Sequence, residues 1–375
     1  MKSALLALSL LLFVLEAGAQ TITTFAGNGE QGAGPDGVLA IDSPLFLLQR
    51  TPAGVVFDRD GNLYFSESGA NRVRRIDRKS GRIFTVAGTG EEGYSGDGGP
   101  ASAAKLREPG DLTFDAAGNL YVSDLGNNRV RCIDRKSGVI DTFMGTGAVG
   151  FTADGSTAKT TPVGRPLGIA FDAAGNFYVM DPFADRLLKA DAKTRIVRTI
   201  VGNGTVSLRV DAKKGTETGL ALPTAVRIDS KGDVIFSGTD NHVLMRVNPG
   251  TGDLTLIAGT TFFGLTGDGG PALRARLNNP TAVALDHGDN IWFVDWGNHV
   301  VRRIDAKTGI IDTRVGSGRL NSRGETEMGG FTGDGGPATK AQLNHPTGLG
   351  LDREGNLYVL DSLNNRIRKV EKAAR

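Results

Sequence analysis

Short runs of apolar residues, alternating with polar ones and parted by turn residues, recur along the chain, and the stretch from Pro109 to Arg165 shows one full period. It reads PGDLTFDAAGNLYVSDLGNNRVRCIDRKSGVIDTFMGTG before a glycine-rich, polar loop. Leu112 and Phe114 alternate with Asp111 and Thr113, Leu120, Tyr121 and Val122 follow the turn DAAGN, Val130 and Ile133 follow GNN, and Ile140 and Phe143 follow DRKSG. Runs of this length and period predict four short strands in an antiparallel meander. The turns suit it: Asp115 and Asn119 can bond nearby amides, and Gly118 and Gly138 supply the positive φ that tight turns need.

The phrase recurs with its leading proline at Pro52, Pro109, Pro166, Pro223, Pro280 and Pro346, at spacings of 57 residues four times and then 66. Its second strand reads GNLYFSE, GNLYVSD, GNFYVMD, GDVIFSG, DNIWFVD and GNLYVLD in turn. A four-stranded sheet cannot bury both faces alone, so six copies predict an all-β, six-bladed β-propeller whose blades stack around a channel. The blades are expected near 52–108, 109–165, 166–222, 223–279 and 280–345, with the sixth shared between 346–375 and 21–51. The last repeat ends after its third strand, and residues 21–27 align with the fourth strand of the first repeat at 82–88, so the N-terminal strand is expected to complete the last blade and leave no free edge.

Residues 1–19 have the three parts of a secretory signal: Met1 and Lys2, an apolar run from Ala4 to Leu15, and Ala17-Gly18-Ala19 before a cleavage point at Gln20. The run is shorter than the roughly 20 residues a membrane-spanning helix needs, so the expectation is an exported, periplasmic or extracellular chain with no membrane insertion. One cysteine, Cys132, excludes an internal disulfide framework; its repeat equivalents Arg75, Lys189, Arg246, Arg303 and Lys369 suggest a solvent-facing thiol. With 43 basic and 41 acidic residues the chain is nearly neutral, which speaks against nucleic acid or an anionic membrane as partner.

The phrase G-x-x-F-D-x-x-G-N-x-Y-V-x-D-x-x-N-x-R-[VI], best at Asp115 to Val130 and Asp352 to Ile367, resembles the NHL repeat, and the resemblance covers the chain from residue 20 onward. Blade three departs with Asp185 in place of asparagine, and blade four with Gly238 in place of the acidic residue. The loops YSGDGGPA at Tyr94, LTGDGGPA at Leu265 and FTGDGGPA at Phe331, with a worn copy FTADGSTA at Phe151, make it similar to NHL propellers of exported bacterial proteins and of teneurins. That family includes protein-binding and RNA-binding modules, and related six-bladed propellers include lyases and lactone hydrolases, so the resemblance implies the fold and leaves the function to the site.

Side chains of the innermost strands alternate between blade interior and channel. Val55, Leu112, Ile169, Val226, Val283 and Leu349 are expected in the core. An upper channel ring of Gly54, Asp111, Gly168, Ala225, Ala282 and Gly348 and a lower ring of Val56, Thr113, Ala170, Arg227, Ala284 and Gly350 follow. Asp111 and Arg227 are the exceptions among small residues. One reading makes them a ligand or catalytic pair at the channel mouth, Arg227 for an anion or carbonyl and Asp111 as acceptor or base, with Thr224, Thr281 and Thr347 adding hydroxyls. The other makes them charges bridged to each other or to water in a solvated channel.

Metal chemistry has less to draw on. None of the four histidines falls on a channel strand: His242 and His299 share one loop phase in adjacent blades, His287 sits in the opposite turn, and His345 precedes Pro346. A zinc site needs several converging imidazoles and a calcium site about six to eight oxygens, so no cofactor is expected, with calcium or zinc as the exception to test. Glu67, Asp124, Asp181, Asp295 and Asp361 end the second strands, and pairing with an arginine five residues on, as in Asp124 with Arg129 and Asp361 with Arg366, is expected. In the SGDGGPA loops Asp97, Asp268 and Asp334 are expected to cap the turn, and Leu106, Leu277 and Leu343 to plug the loop onto the blade. Trp296 is expected as an exposed aromatic, with Phe262 and Phe263 beside it in an apolar contact patch. The resulting reading is an exported scaffold that recognises a protein, peptide or glycan through the long-loop face; the alternative is a lactonase-like or amidating-lyase-like enzyme at the channel mouth.

Overall fold

The computed structural model describes residues 20–49, 52–151, 153–208, 213–318 and 329–372; the expected secretory signal at 1–19 lies outside them. Six antiparallel sheets form the blades, four of four strands and two of five. The second blade shows the plan, with strands Pro109–Phe114, Leu120–Asp124, Arg129–Ile133 and Val139–Met144 paired in sequence from the channel outward. Helical structure among the described residues is confined to three-residue 3-10 turns. The inner-strand residues Leu112, Ile169 and Val226 are fully buried, as their alternation demands.

Turn chemistry repeats with the blades. Asp115 accepts from the Asn119 amide (2.9 Å) and Nδ2 (2.8 Å), while Asn119 Oδ1 accepts the Arg135 amide (3.0 Å) and ties the two lower turns of the blade together. Gly118 stands at φ +90° and Gly138 at +70°, a region that costs a residue with a Cβ. Ring closure is by the N-terminal strand: Ile22–Ala26 pairs antiparallel with Arg366–Val370, and Ile22 and Ala26 are fully buried.

The GDGG loops do more than rise above the blades. Gly99–Pro100 pairs with Val139–Ile140, and Gly270–Pro271 with Ile310–Ile311, so two loops add a fifth strand to the outer edge of the next blade. Isolated bridges at Leu39 with Arg82, Thr157 with Ile196 and Lys214 with Asp253 put the same edge contact on three other blades. Outer edges are thereby covered against intermolecular pairing. Leu106, Leu277 and Leu343 anchor these loops and are buried to 1% or less exposure, as expected.

Candidate functional site

Small residues line the channel because the inner strands of neighbouring blades nearly touch. Gly54 N donates to Gly110 O (3.0 Å), Gly168 N to Thr224 O (2.6 Å) and Ala53 N to Thr347 O (3.3 Å). A Cβ at Gly54 would fall 2.3 Å from Leu112 N, and one at Gly348 would fall 2.2 Å from Ala53 O. The remaining waist is filled by the two charged exceptions. Arg227 Nη1 donates to Asp111 Oδ2 at 2.8 Å and Nη2 to Oδ1 at 3.1 Å, across the third blade. Asp111 also accepts from the Leu112 (2.9 Å) and Ile169 (3.0 Å) amides, so its carboxylate holds four donors. Burial disfavours the guanidinium charge, but the Asp111 carboxylate outweighs it and raises the Arg227 pKa. Of the two sequence expectations, the structure shows the mutual pair.

The pair divides the channel. Below it, a cavity of about 470 Å³ opens among the lower turns, with Arg227 in its wall and the exposed His287 and Arg353 at its rim. Above it, on the long-loop side, lies a cavity of about 570 Å³ to which all six blades contribute. Its walls are mainly apolar: Leu125, Leu167, Pro182, Phe183, Leu222 and Trp296. Thr224, Thr239, Asp240, Asn279, Thr281 and Thr347 supply the polar side. This size and lining are those of small-ligand pockets.

The threonines do not contribute three equivalent hydroxyls. Thr224 Oγ1 contacts Ser237 Oγ (2.8 Å) and Thr239 Oγ1 (2.7 Å) and donates to Thr281 O (3.0 Å), and Thr347 Oγ1 contacts Ser362 Oγ at 2.6 Å. Both are consumed in the wall. Thr281 Oγ1 is shut from solvent with no hydrogen-bond partner among the described residues. Trp296 is half-buried and not exposed as expected, because its Nε1 donates to Gln49 O of the neighbouring blade (2.8 Å) and its ring packs edge-on against His345 at 4.7 Å. Phe262 and Phe263 are exposed, at 67% and 68%.

Phe183 and Asp240 are site residues that sequence reasoning passed over. Between second and third strands, blades one, two and five carry Gly69, Gly126 and Gly297, each pressed by the incoming loop: a Cβ at Gly126 would meet Arg107 Cγ at 2.2 Å. In blade three the sizes are exchanged, with Gly164 in the loop against Phe183, and in blade four Ala221 stands in the loop with Asp240 below. Departure from glycine at this repeat phase was the signal.

The carboxylates ending the second strands are a clamp. Glu67, Asp124, Asp181, Asp295 and Asp361 are fully buried, and each accepts an amide of the incoming loop, from Phe46, Arg107, Gly164, Asn278 and Asn344. Blade four, which has Gly238 here, uses the buried Asn241 Oδ1 for the Ala221 amide at 3.0 Å. The arginine partner stands seven residues on and not five in four blades: Arg74, Arg131, Arg302 and Arg368, all fully buried. Only Arg186 pairs at the expected spacing, with Asp181 at 3.2 Å. Arg129 lies directly across the ladder from Asp124 but turns its guanidinium to Asn127 O and Thr146 O. Asp97, Asp268 and Asp334 do not cap their turns; each reaches the same buried arginine, Arg131, Arg302 or Arg368, and Asp36 does so for Arg74.

The histidines also join blades. The residue after each of these loops is left-handed, a conformation in which asparagine, aspartate and histidine are enriched. There Asn71, Asn128, Asp185, His242 and His299 accept the amide of Glu108, Arg165, Leu222, Asn279 and His345. Burial and the neighbouring His345 lower the His299 pKa to about 4, which keeps Nδ1 an acceptor. Among the described residues no group of three or more His, Cys, Asp or Glu side chains is placed to hold a metal. Cys132 is half-buried against the core of blades two and three, and burial raises its pKa.

Comparison with known proteins agrees with this architecture. The NHL repeat family model matches residues 106–133. The chain is 25% identical over 332 residues to the chloroplastic protein SUPPRESSOR OF QUENCHING 1 of Arabidopsis thaliana, covering 85% of this chain and 30% of that protein. It is 25% identical over 291 residues to Teneurin-1 of Gallus gallus, covering 68% of this chain and 10% of that protein. The chain thus spans under a third of the length of either relative. Among solved structures it is similar to an auxiliary nutrient binding protein from Bacteroides thetaiotaomicron, with a TM-score of 0.64, 18% identity, and coverage of 94% of this chain and 76% of that one. With six copies of the repeat phrase, an NHL-repeat match on the second and six sheets closed into a ring, the chain is a six-bladed β-propeller similar to the NHL-repeat proteins.

Proposed function

We propose that the protein is a recognition module that binds its ligand on the long-loop face, in and around the upper cavity. The carrying observation is the cavity itself: about 570 Å³, walled mainly by apolar side chains, with all six blades contributing. Asp111 and Arg227 serve it as structure, since each uses the other. A carboxylate already holding four donors is poorly placed to act as a base. The N-terminal pattern of residues 1–19 supports recognition outside the cytoplasm, of a protein, peptide or glycan, without nucleic acid.

A ligand-detected NMR screen of short peptides, oligosaccharides and small amphiphiles tests the site. Hits are expected to lose about ten-fold in affinity on Phe183→Ala, the size of one lost aromatic contact, and to be indifferent to Phe331→Ala, an exposed ring outside the cavity. Hits insensitive to Phe183→Ala would move the site elsewhere. The reading requires no metal. About one zinc or calcium per chain retained through dialysis would instead favour the lyase or hydrolase alternative.

A further inference from the structure

Blades three and four differ from the other four in linked ways, and the differences gather at one side of the upper cavity. Where blades one, two, five and six bury an arginine locked to a loop aspartate, blades three and four have Leu188 and Met245. Between second and third strands, where blades one, two and five have glycine and blade six Leu363, these two present Phe183, 60% exposed, and Asp240, also exposed. The loops that follow them carry Val206, Leu208, Phe262 and Phe263, each more than 60% exposed. An apolar surface this concentrated marks a contact site.

The charge of this sector is one-sided. Asp240 lines the cavity, and Asp185 feels the fields of Asp240 and Asp181. Neither Asp185 nor Asp240 has a cationic side chain within ion-pair distance among the described residues. Arg165, the cation on the cavity wall, is already held by Glu108 at 2.7 Å. Thr281 also lines the cavity, but its hydroxyl is turned away from solvent and has no partner among the described residues.

We propose that the ligand is a polypeptide segment that places an apolar side chain between Phe183 and Trp296 and a neighbouring lysine or arginine against Asp185 and Asp240. This rests on the reading of the upper cavity as the ligand site. A glycan fits less well: it needs many convergent polar groups, while the Thr224 and Thr347 hydroxyls are used within the wall. Phe262 and Phe263 stand exposed in the loop after blade four, with Phe263 6.0 Å from the His242 ring, and offer a second apolar contact that a chain-like ligand would use. The cation gains from a carboxylate pair and from adjacent aromatic faces.

Three capped dipeptides, acetyl-Lys-Phe-amide, acetyl-Gln-Phe-amide and acetyl-Glu-Phe-amide, with N-acetyllactosamine as the sugar probe, are titrated calorimetrically at low ionic strength into the wild type and Asp240→Asn. The lysine peptide is expected to bind at least ~10-fold tighter than the glutamate peptide, with the glutamine peptide between, and Asp240→Asn to erase most of the spread. Asp240 is exposed, and a thermal melt establishes that the variant folds. Equal binding of all three peptides, lost on Phe183→Ala, would overturn the charge selection and leave the cavity reading standing. Binding of the sugar alone, or of none of the probes, would overturn the peptide proposal.

Discussion

At His299 the chain places an imidazole where blades one and two use asparagine, and the job is the same: accept one amide of the next blade, here His345 N at 3.0 Å. An asparagine oxygen does this at any pH, while imidazole Nδ1 does it only unprotonated. Because the folded pKa lies near 4 and the unfolded value near 6.5, the unfolded chain binds the proton first on acidification. The contribution is whole above pH 6.5 and is lost as pH falls towards 4. Asp124, Asp295 and Asp361, which burial raises to about 6, act oppositely: their unfolded pKa is lower, so stability tied to them falls as pH rises through 6. The wild-type profile mixes both, and His299→Asn separates them. Relative to wild type the variant should gain on the order of 1–2 kcal/mol between pH 7 and pH 4, after allowing for solvent screening of a half-buried ring. Urea melts at the two pH values measure it, and an unchanged difference would mean His299 does not titrate through this contact.

At the scale of elements, the unit that joins loop to blade is a buried arginine held by two carboxylates, one on its own sheet and one on the incoming loop. Arg131 Nη1 meets Asp124 Oδ2 at 3.3 Å and Nη2 meets Asp97 Oδ1, while Tyr94 lies over the guanidinium at 4.9 Å. Arg131→Met leaves Asp124 buried without its cation and should cost about 3–5 kcal/mol; Asp97→Ala, at a partly exposed partner, should cost about 1 kcal/mol. Both act through one guanidinium, while Asp97 Oδ2 also accepts the Tyr94 (2.8 Å) and Thr142 (2.7 Å) hydroxyls, so the double variant should cost less than the sum of the two single variants in a denaturation cycle. Additive losses would make Asp97 an independent loop determinant. The arrangement also explains what sequence could show. Strands, turns and the buried leucines were legible because alternation and Asx or glycine turns are local, within about five residues. The Asp97 to Arg131 link spans 34 positions and exists only once the loop has folded down the outer edge. Trp296 and the upper cavity were obscured likewise, since the Gln49 carbonyl and the lining come from different blades. Asp111 and Arg227 were legible as exceptions to a small-residue ring, and their pairing as one of two readings; across a 116-residue separation only the assembled blades decide between them.

On the scale of the whole molecule, the ring is only as closed as its one seam between chain ends. Five blades are each built from one continuous segment; the sixth joins Arg366–Val370 to Ile22–Ala26, in a register that runs from Ile22 opposite Val370 to Ala26 opposite Ile367. The seam is sealed on its far side too, where Ile22 N donates to Gly336 O, Gly335 N to Ile22 O and Ala338 N to Gln20 O. One short strand thus satisfies the open edge of the sixth blade and anchors the loop that enters it. A chain lacking residues 1–28 should therefore expose the edge of Arg366–Val370 and the apolar face that covers Ile22, with a lower melting temperature and self-association through the free edge. Adding a synthetic peptide of residues 20–28 in trans should restore the melting temperature in a concentration-dependent way, because it binds the folded ring and not the unfolded chain. A truncated chain that stays monomeric and melts as the full one does would show that contacts between blades hold the ring without the seam.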